Sequence, residues 1–396
     1  MNSVPDMRLL PRISRVLAFI SFFVCLGVWF IQSQQSAAFS QFVITPDVAQ
    51  LIRDGQQAMY NCDYQSADRE FDTLIRLYPD HPAGYMYKAV SIWWRALRDK
   101  TNKDLQTQFF RYAEQGIAKG EALVKRDPKD FYAQMFLAGI YGNQTRFDVT
   151  IMHSYLAAMH DGRKGDGYNR NALALRPDCF DCLIGTGSYY YAPEALPPLL
   201  RHFPAIMGVH GDLSRSIKDL ETATAKGDFA QTEAKLVLLG IYYNEKWFDK
   251  YENLLISLIR QYPSNHVFYM WLANHYILQH QAERGTRFFS DLLNKSAANS
   301  KSPLSVAYQF LEKGRLELAS GSPEAAVSSF NSGIDAAPTD KQFLAQVHLL
   351  RGFALDLLSQ RNSAIREYEA VLALPNVENS HKDASRFARA PYQGRL

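Results

Sequence analysis

Two stretches of equal length decide the fold: GQQAMYNCDYQSADREFDTLIRLYP at residues 55–79 and GRLELASGSPEAAVSSFNSGIDAAP at residues 314–338. In the first, twelve positions lead from Gly55 to Ala67, four more to Phe71 and eight more to Pro79. The second takes the same steps through Gly314, Ala326, Phe330 and Pro338. Less complete copies lie between and after them. Ala273, Gly285 and Phe289 keep the first three positions and end in a break at 296–300. Gly352, Ala364 and Tyr368 do the same, with Pro375 one residue early, and Gly240 and Tyr243 open a copy that closes at Pro263. A small residue in each of two consecutive helices lets them pack closely and antiparallel. The aromatic then fills the space between repeats, and the proline stops the second helix. A single pair cannot bury its apolar faces alone, so the pairs must stack.

This spacing resembles the tetratricopeptide repeat. The resemblance implies an all-α superhelical solenoid of seven or eight antiparallel helix pairs over residues 48–378, with the faces of the first helices lining an inner groove. Two middle units are longer, since Pro79, Pro128 and Pro177 are 49 residues apart, against about 34 in a standard repeat. The extra length is expected around Trp94–Phe110 and Arg146–Asp166, with Gly142-Asn143 and the run Asp161–Gly167 read as turns.

The regular pattern is interrupted at 189–212, where Pro193, Pro197, Pro198 and Pro204 exclude one unbroken helix. The next helix is expected to open at Asp212 and carry Leu213, Ile217, Leu220 and Ala223 on one face. Gly187, Leu196, Pro197, Pro198, Gly208, Gly211 and Asp212, with Leu238, Tyr242, Tyr262, Pro263 and Phe268, carry a second likeness. Residues 178–290 are similar to the tetratricopeptide family that includes the eukaryotic inclusion-body clearance protein and exported bacterial repeat proteins. That resemblance implies no enzymatic site.

The N-terminus has a different character. Arg8, Arg12 and Arg15 precede an uncharged apolar run from Val16 to Ile31, and the next charge is Asp47. The pattern reads as a basic cytoplasmic region at 1–15, a signal peptide or membrane anchor at 16–33 and a linker at 34–47. The run is slightly short of the roughly 20 residues that span a bilayer. Ser36-Ala37-Ala38 offers a cleavage site, and the leading arginines place the remainder across the membrane, in a bacterial periplasm. Over the whole sequence, 47% apolar and 21% charged residues describe a folded chain, and a net charge of +3 gives no electrostatic case for nucleic acid. At the other end, residues 379–396 carry Lys382, Arg386, Arg389 and Arg395 without apolar periodicity and read as a flexible basic tail.

Candidate chemistry is sparse. Cys179-Phe180-Asp181-Cys182 could be a structural disulfide, inert small residues at a helix start, a redox pair or half a metal site. Leu183 in place of histidine excludes haem attachment, and outside the apolar run only Cys62 remains as a further thiol. His153 and His160, or His202 and His210 beside the proline segment, read as single packing or surface residues rather than ligands. No phosphate loop, zinc-protease helix or serine nucleophile turn is present. The sequence therefore implies no catalytic residue, no metal and no cofactor. Adjacent aromatics, such as Trp93-Trp94, should divide between core and surface.

The groove is the candidate binding site. On this register it is lined by Tyr132 and Met135, then Ile184, Ser188 and Tyr191, then Val267, Met270, Asn274 and Ile277. Tyr308, Leu311 and Arg315 follow, and last Leu349 and Phe353. The lining is largely apolar, which suits an apolar or helical peptide better than an acidic tail. The expected function is a scaffold or adaptor that binds protein or peptide partners, with the membrane reached through the N-terminal segment. The alternatives are a metal- or redox-active protein using Cys179 and Cys182, a binder of apolar small molecules, or a groove filled by another part of the solenoid.

Overall fold

The structure, a computed structural model, describes residues 42–195, 211–297 and 302–394. The chain divides into Met1–Val43 and Ile44–Leu396. The expected basic region and apolar segment thus lie outside the described residues, as do Leu196–His210 of the proline segment.

Among the described residues the second unit is built of helices and a π turn. They run in order α1 (Pro46–Tyr60), α2 (Tyr64–Leu77), α3 (Pro82–Ala96), α4 (Lys103–Arg126), α5 (Phe131–Phe147), the π turn Asp148–Met152, α6 (Tyr155–Leu175), α7 (Leu183–Ala195) and α8 (Leu213–Lys226). There follow α9 (Gln231–Asn244), α10 (Phe248–Gln261), α11 (His266–Leu278), α12 (Ala282–Ala297), α13 (Pro303–Ala319), α14 (Pro323–Ala336), α15 (Lys341–Leu357), α16 (Arg361–Leu372) and α17 (Ser380–Arg389). Consecutive helices pack as eight antiparallel pairs, and α17 closes the C-terminal end.

Local chemistry sets the helix starts. Asp63, Asn102, Asp130, Asp212 and Asp340 each accept a hydrogen bond from the backbone N–H three residues on, and Pro46, Pro82, Pro303 and Pro323 occupy first-turn positions. The tight turn inside five of the pairs is one motif repeated. Its middle residue is left-handed: Cys62, Lys246, His280, Gly321 or Ser359. The following N–H reaches the carbonyl five residues back, as from Asp63 to Ala58 at 2.9 Å and from Ser322 to Glu317 at 2.8 Å. Only the Gly321 copy uses the residue that favours this conformation, so four of the five turns carry no glycine signal in the sequence.

Packing explains the spaced small residues. A Cβ on Gly55 would lie 2.3 Å from the Phe71 ring, one on Gly314 2.4 Å from Phe330, and one on Gly352 2.4 Å from Tyr368. The aromatic therefore seats on the glycine of its own pair first. It also reaches the next pair, since Phe71 stacks on Tyr87 at 5.2 Å, and so fills both spaces rather than only the one between repeats.

Three expectations are corrected. Gly142-Asn143 lies inside α5, and Asp161–Gly167 inside α6, where Gly165 approaches Tyr141 of α5 so closely that a Cβ on it would lie 3.2 Å from the Tyr141 Cβ. The break falls instead at the π turn, which ends on left-handed His153. Residues 380–389 form a helix rather than a flexible tail, with Ala384 and Phe387 buried against Phe353 and Tyr368. Tyr392 then stacks on Phe353 at 4.3 Å and donates its N–H to Asp356. Three apolar residues in ten, Ala384, Phe387 and Ala388, were too few to show a period. Helix α7 also continues through Pro193 to Ala195, while α8 starts after Asp212 as expected.

Candidate functional site: the inner face of the solenoid

The first helices of the pairs form the inner face, and its two sections differ. At the end of α3 the side chain of Trp94 is wholly buried. It sits edge-on to Phe268 at 5.6 Å and to Tyr60 at 5.8 Å, and beside Trp271 at 6.3 Å. The first two pairs thus meet the fifth, sixth and seventh across the superhelix. Polar groups pin this contact. Tyr60 donates to Glu233 at 2.7 Å, Gln56 to the Phe229 carbonyl at 2.9 Å, and Asn265 to the Tyr60 carbonyl at 2.7 Å. Arg146 pairs with Glu233 while lying 3.8 Å above the Trp93 ring. Arg98 donates to the Tyr308 hydroxyl, and Tyr308 stacks on His266 at 4.3 Å. Glu378, just before α17, accepts the Lys100 N–H at 2.8 Å. Both Trp93 and Trp94 are buried, so this pair does not divide between core and surface as the helical spacing suggested.

The electrostatics follow from dehydration. Burial holds His266 well below the usual imidazole range, helped by the Arg98 charge, and pushes the Tyr308 hydroxyl up to about 12. At the π turn, burial and the Asp161 charge push the Asp148 carboxyl up to about 6.

The expected groove residues fall on both sides of this division. Val267, Tyr308 and Leu311 are buried, and Arg315 is tied to Glu312 at 2.6 Å and to Asn274 at 2.7 Å. Met270 and Ile277 are half-buried. Leu349 and Phe353 pack into the cluster under α17. Tyr191 is buried and donates to Glu245 at 3.0 Å. Tyr132, Met135, Ile184 and Ser188, on α5 and α7, stay half-buried, and a Cβ on Gly142 of α5 would meet nothing within 4 Å. Arg176 lies 4.9 Å over the Tyr132 ring and donates to its hydroxyl at 3.3 Å. The structure therefore leaves four of the five expected residues on α5 and α7 half-buried, and buries Val267, Tyr308 and Leu311 of the seven on α11 and α13. Trp94, Arg98 and His266, which do the covering, gave one advance sign in the Trp93-Trp94 pair.

Elsewhere, an open depression of ≈ 460 Å³ between α8, α9 and α10 is lined by Glu221, Leu238, Tyr242 and Lys250. Cys179 and Cys182 form a disulfide, and Cys62 is a free thiol whose pKa burial raises. Among the described residues no three His, Cys, Asp or Glu side chains converge as metal ligands would. His202 and His210 lie outside the described residues.

Stacked antiparallel pairs, each with an aromatic seated on a small residue, give the chain a tetratricopeptide-like fold. No protein-family model matches it, and no curated protein does. Solved helical structures do. A tetratricopeptide repeat protein from Parabacteroides merdae is 14% identical over 77% of this chain and 99% of its own, with a TM-score of 0.31. Human IFIT1, as a dimer with PPP-AAAA, is 15% identical over 79% of this chain and 69% of its own, at 0.37. Yeast Tom70 is 12% identical over 84% and 86%, at 0.23. Scores of this size add nothing to what the helix pairs themselves display.

Proposed function

We propose that this chain is an exported or membrane-anchored scaffold that holds other polypeptides on the α5–α7 section of its inner face, with envelope assembly as its setting. The observation that carries the reading is the half-buried wall of Tyr132, Met135, Ile184 and Ser188. On the neighbouring section Trp94 meets Phe268 and Arg98 meets Tyr308, whereas these four residues keep part of their surface in water. An apolar helical or extended segment fits them, because side chains of this type gain by losing water while few charges need new partners. The role needs no bond making or breaking. The basic and apolar segments at Arg8–Ile31 support export, and a Cys179–Cys182 disulfide suits an oxidising compartment.

A photo-crosslinking amino acid placed at Met135 or Ile184 of the full-length chain tests the docking. A discrete polypeptide adduct from these positions, and none from exposed Leu372 on α16, is the expected result. Equal labelling from all three would overturn it. Protease protection of the folded part in intact cells, lost on permeabilising the outer layer, tests the export reading separately.

A further inference from the structure

The Cys179–Cys182 disulfide is asymmetric. Cys182 is only 3% exposed, whereas Cys179 is half-buried and open to approach. The Cys182 N–H donates to the Cys179 sulfur at 3.2 Å, and the thirteen-residue helix α7 begins at Leu183. A thiolate formed on Cys179 would keep that N–H as a charge-assisted bond, at the positive end of a helix. Beside it Phe180 is 36% exposed, with the Lys226 ammonium 5.2 Å over its ring. This gives an apolar and a positive contact next to the reachable sulfur. The loop is also held rigid. The Asp181 carboxylate accepts the Phe229 N–H at 3.1 Å and the Ala230 N–H at 3.1 Å, which ties the cysteine turn to the α8–α9 connection. As a staple the bond does little, because chain-entropy stabilisation grows with loop length and the two cysteines are three positions apart.

We propose that Cys179–Cys182 is a thiol–disulfide exchange site for cysteine-bearing polypeptides. A substrate thiolate attacks the Cys179 sulfur, a substrate–Cys179 bond forms, and the Cys179–Cys182 bond breaks with its electron pair going to Cys182, which takes a proton from water. A second thiolate of the same substrate then attacks its own sulfur in the mixed disulfide. The substrate leaves as a disulfide, and Cys179 leaves as the thiolate that the Cys182 N–H receives. Substrate loses two electrons and the cysteine pair gains them; a low-molecular-weight disulfide returns the pair to its starting state.

The test uses the full-length chain and a synthetic peptide carrying two thiols. Alkylation and mass analysis of the peptide containing both cysteines keeps Cys62 out of the readout. The native Cys179–Cys182 bond should open at least about tenfold faster than oxidised glutathione under the same conditions. In Cys182→Ser, the Cys179 thiol should titrate about one unit or more below the ordinary value of about 8.5, and its thiolate should attack the peptide supplied in its disulfide form, joining one peptide sulfur to Cys179 as a mixed disulfide and releasing the other as a thiolate. A native bond that opens no faster than oxidised glutathione overturns the proposal, as does a folded Cys182→Ser whose thiol titrates at the ordinary value. Should that variant fail to fold, the rate on the unaltered chain decides alone.

Discussion

Two sections of one inner face, built from the same kinds of residue, are covered to different extents. On α11 and α13, Trp94 covers Phe268 and Arg98 covers Tyr308, and Val267 and Leu311 are buried beside them in sequence. On α5 and α7, Tyr132, Met135 and Ile184 stay half-buried. A first-helix aromatic is thus core or surface according to what the superhelix brings opposite it. Position within the repeat alone does not settle the matter.

The sharpest way to break the comparison is to remove the covering residue. Trp94→Ala should cost about 3–5 kcal/mol, as for other fully buried large side chains, read as a fall in the urea midpoint. A loss under about 1 kcal/mol would show that the sections do not meet in solution. A second prediction concerns the π turn, where Thr150 accepts the Trp93 indole N–H at 3.1 Å. Asp148 has a folded pKa of about 6, above the ordinary carboxylate value, so the folded state holds this proton more tightly than the unfolded one. Its contribution is therefore full at acid pH and is lost as pH rises toward and through 6. Asp148→Asn should flatten that fall by up to about 3 kcal/mol, seen in melting temperatures from pH 4 to pH 8. An unchanged slope would show that the carboxyl is hydrated.

Gly314→Ala tests the packing of the closed section itself. The added Cβ has 2.4 Å to the Phe330 ring, and a loss of about 1–3 kcal/mol is expected, measurable by the same urea titration. On the open side, Ile184→Asp should change stability by less than about 1 kcal/mol, since the residue stays in contact with water. It should nevertheless abolish the adduct formed from a crosslinker at Met135. A large stability loss there would mean that α7 is as closed as α13.

Much of the fold was legible in advance, and for a mechanical reason. Gly55, Ala67 and Phe71 must recur at fixed offsets because the ring sits on the glycine of its own pair, and no other spacing brings them together. The helix start at Asp212 is similarly local. The turns were less legible. Cys62, Lys246, His280 and Ser359 adopt the left-handed conformation without being glycine, because the flanking helices and their reciprocal hydrogen bonds hold them there. The glycines of α6 misled for the converse reason: all three lie within the helix, and Gly165 serves close approach to Tyr141 of α5, not chain reversal.

Of the candidate site, the sequence by itself determined which residues stand on the first helices and that the cysteines are close enough to pair, since both follow from spacing along the chain. Tertiary structure alone decided which of those residues are available. Tyr60 meets Glu233, Trp94 meets Phe268 and Arg98 meets Tyr308. Those meetings depend on a small rotation between successive pairs added up over several of them, and a local sequence pattern does not encode that sum.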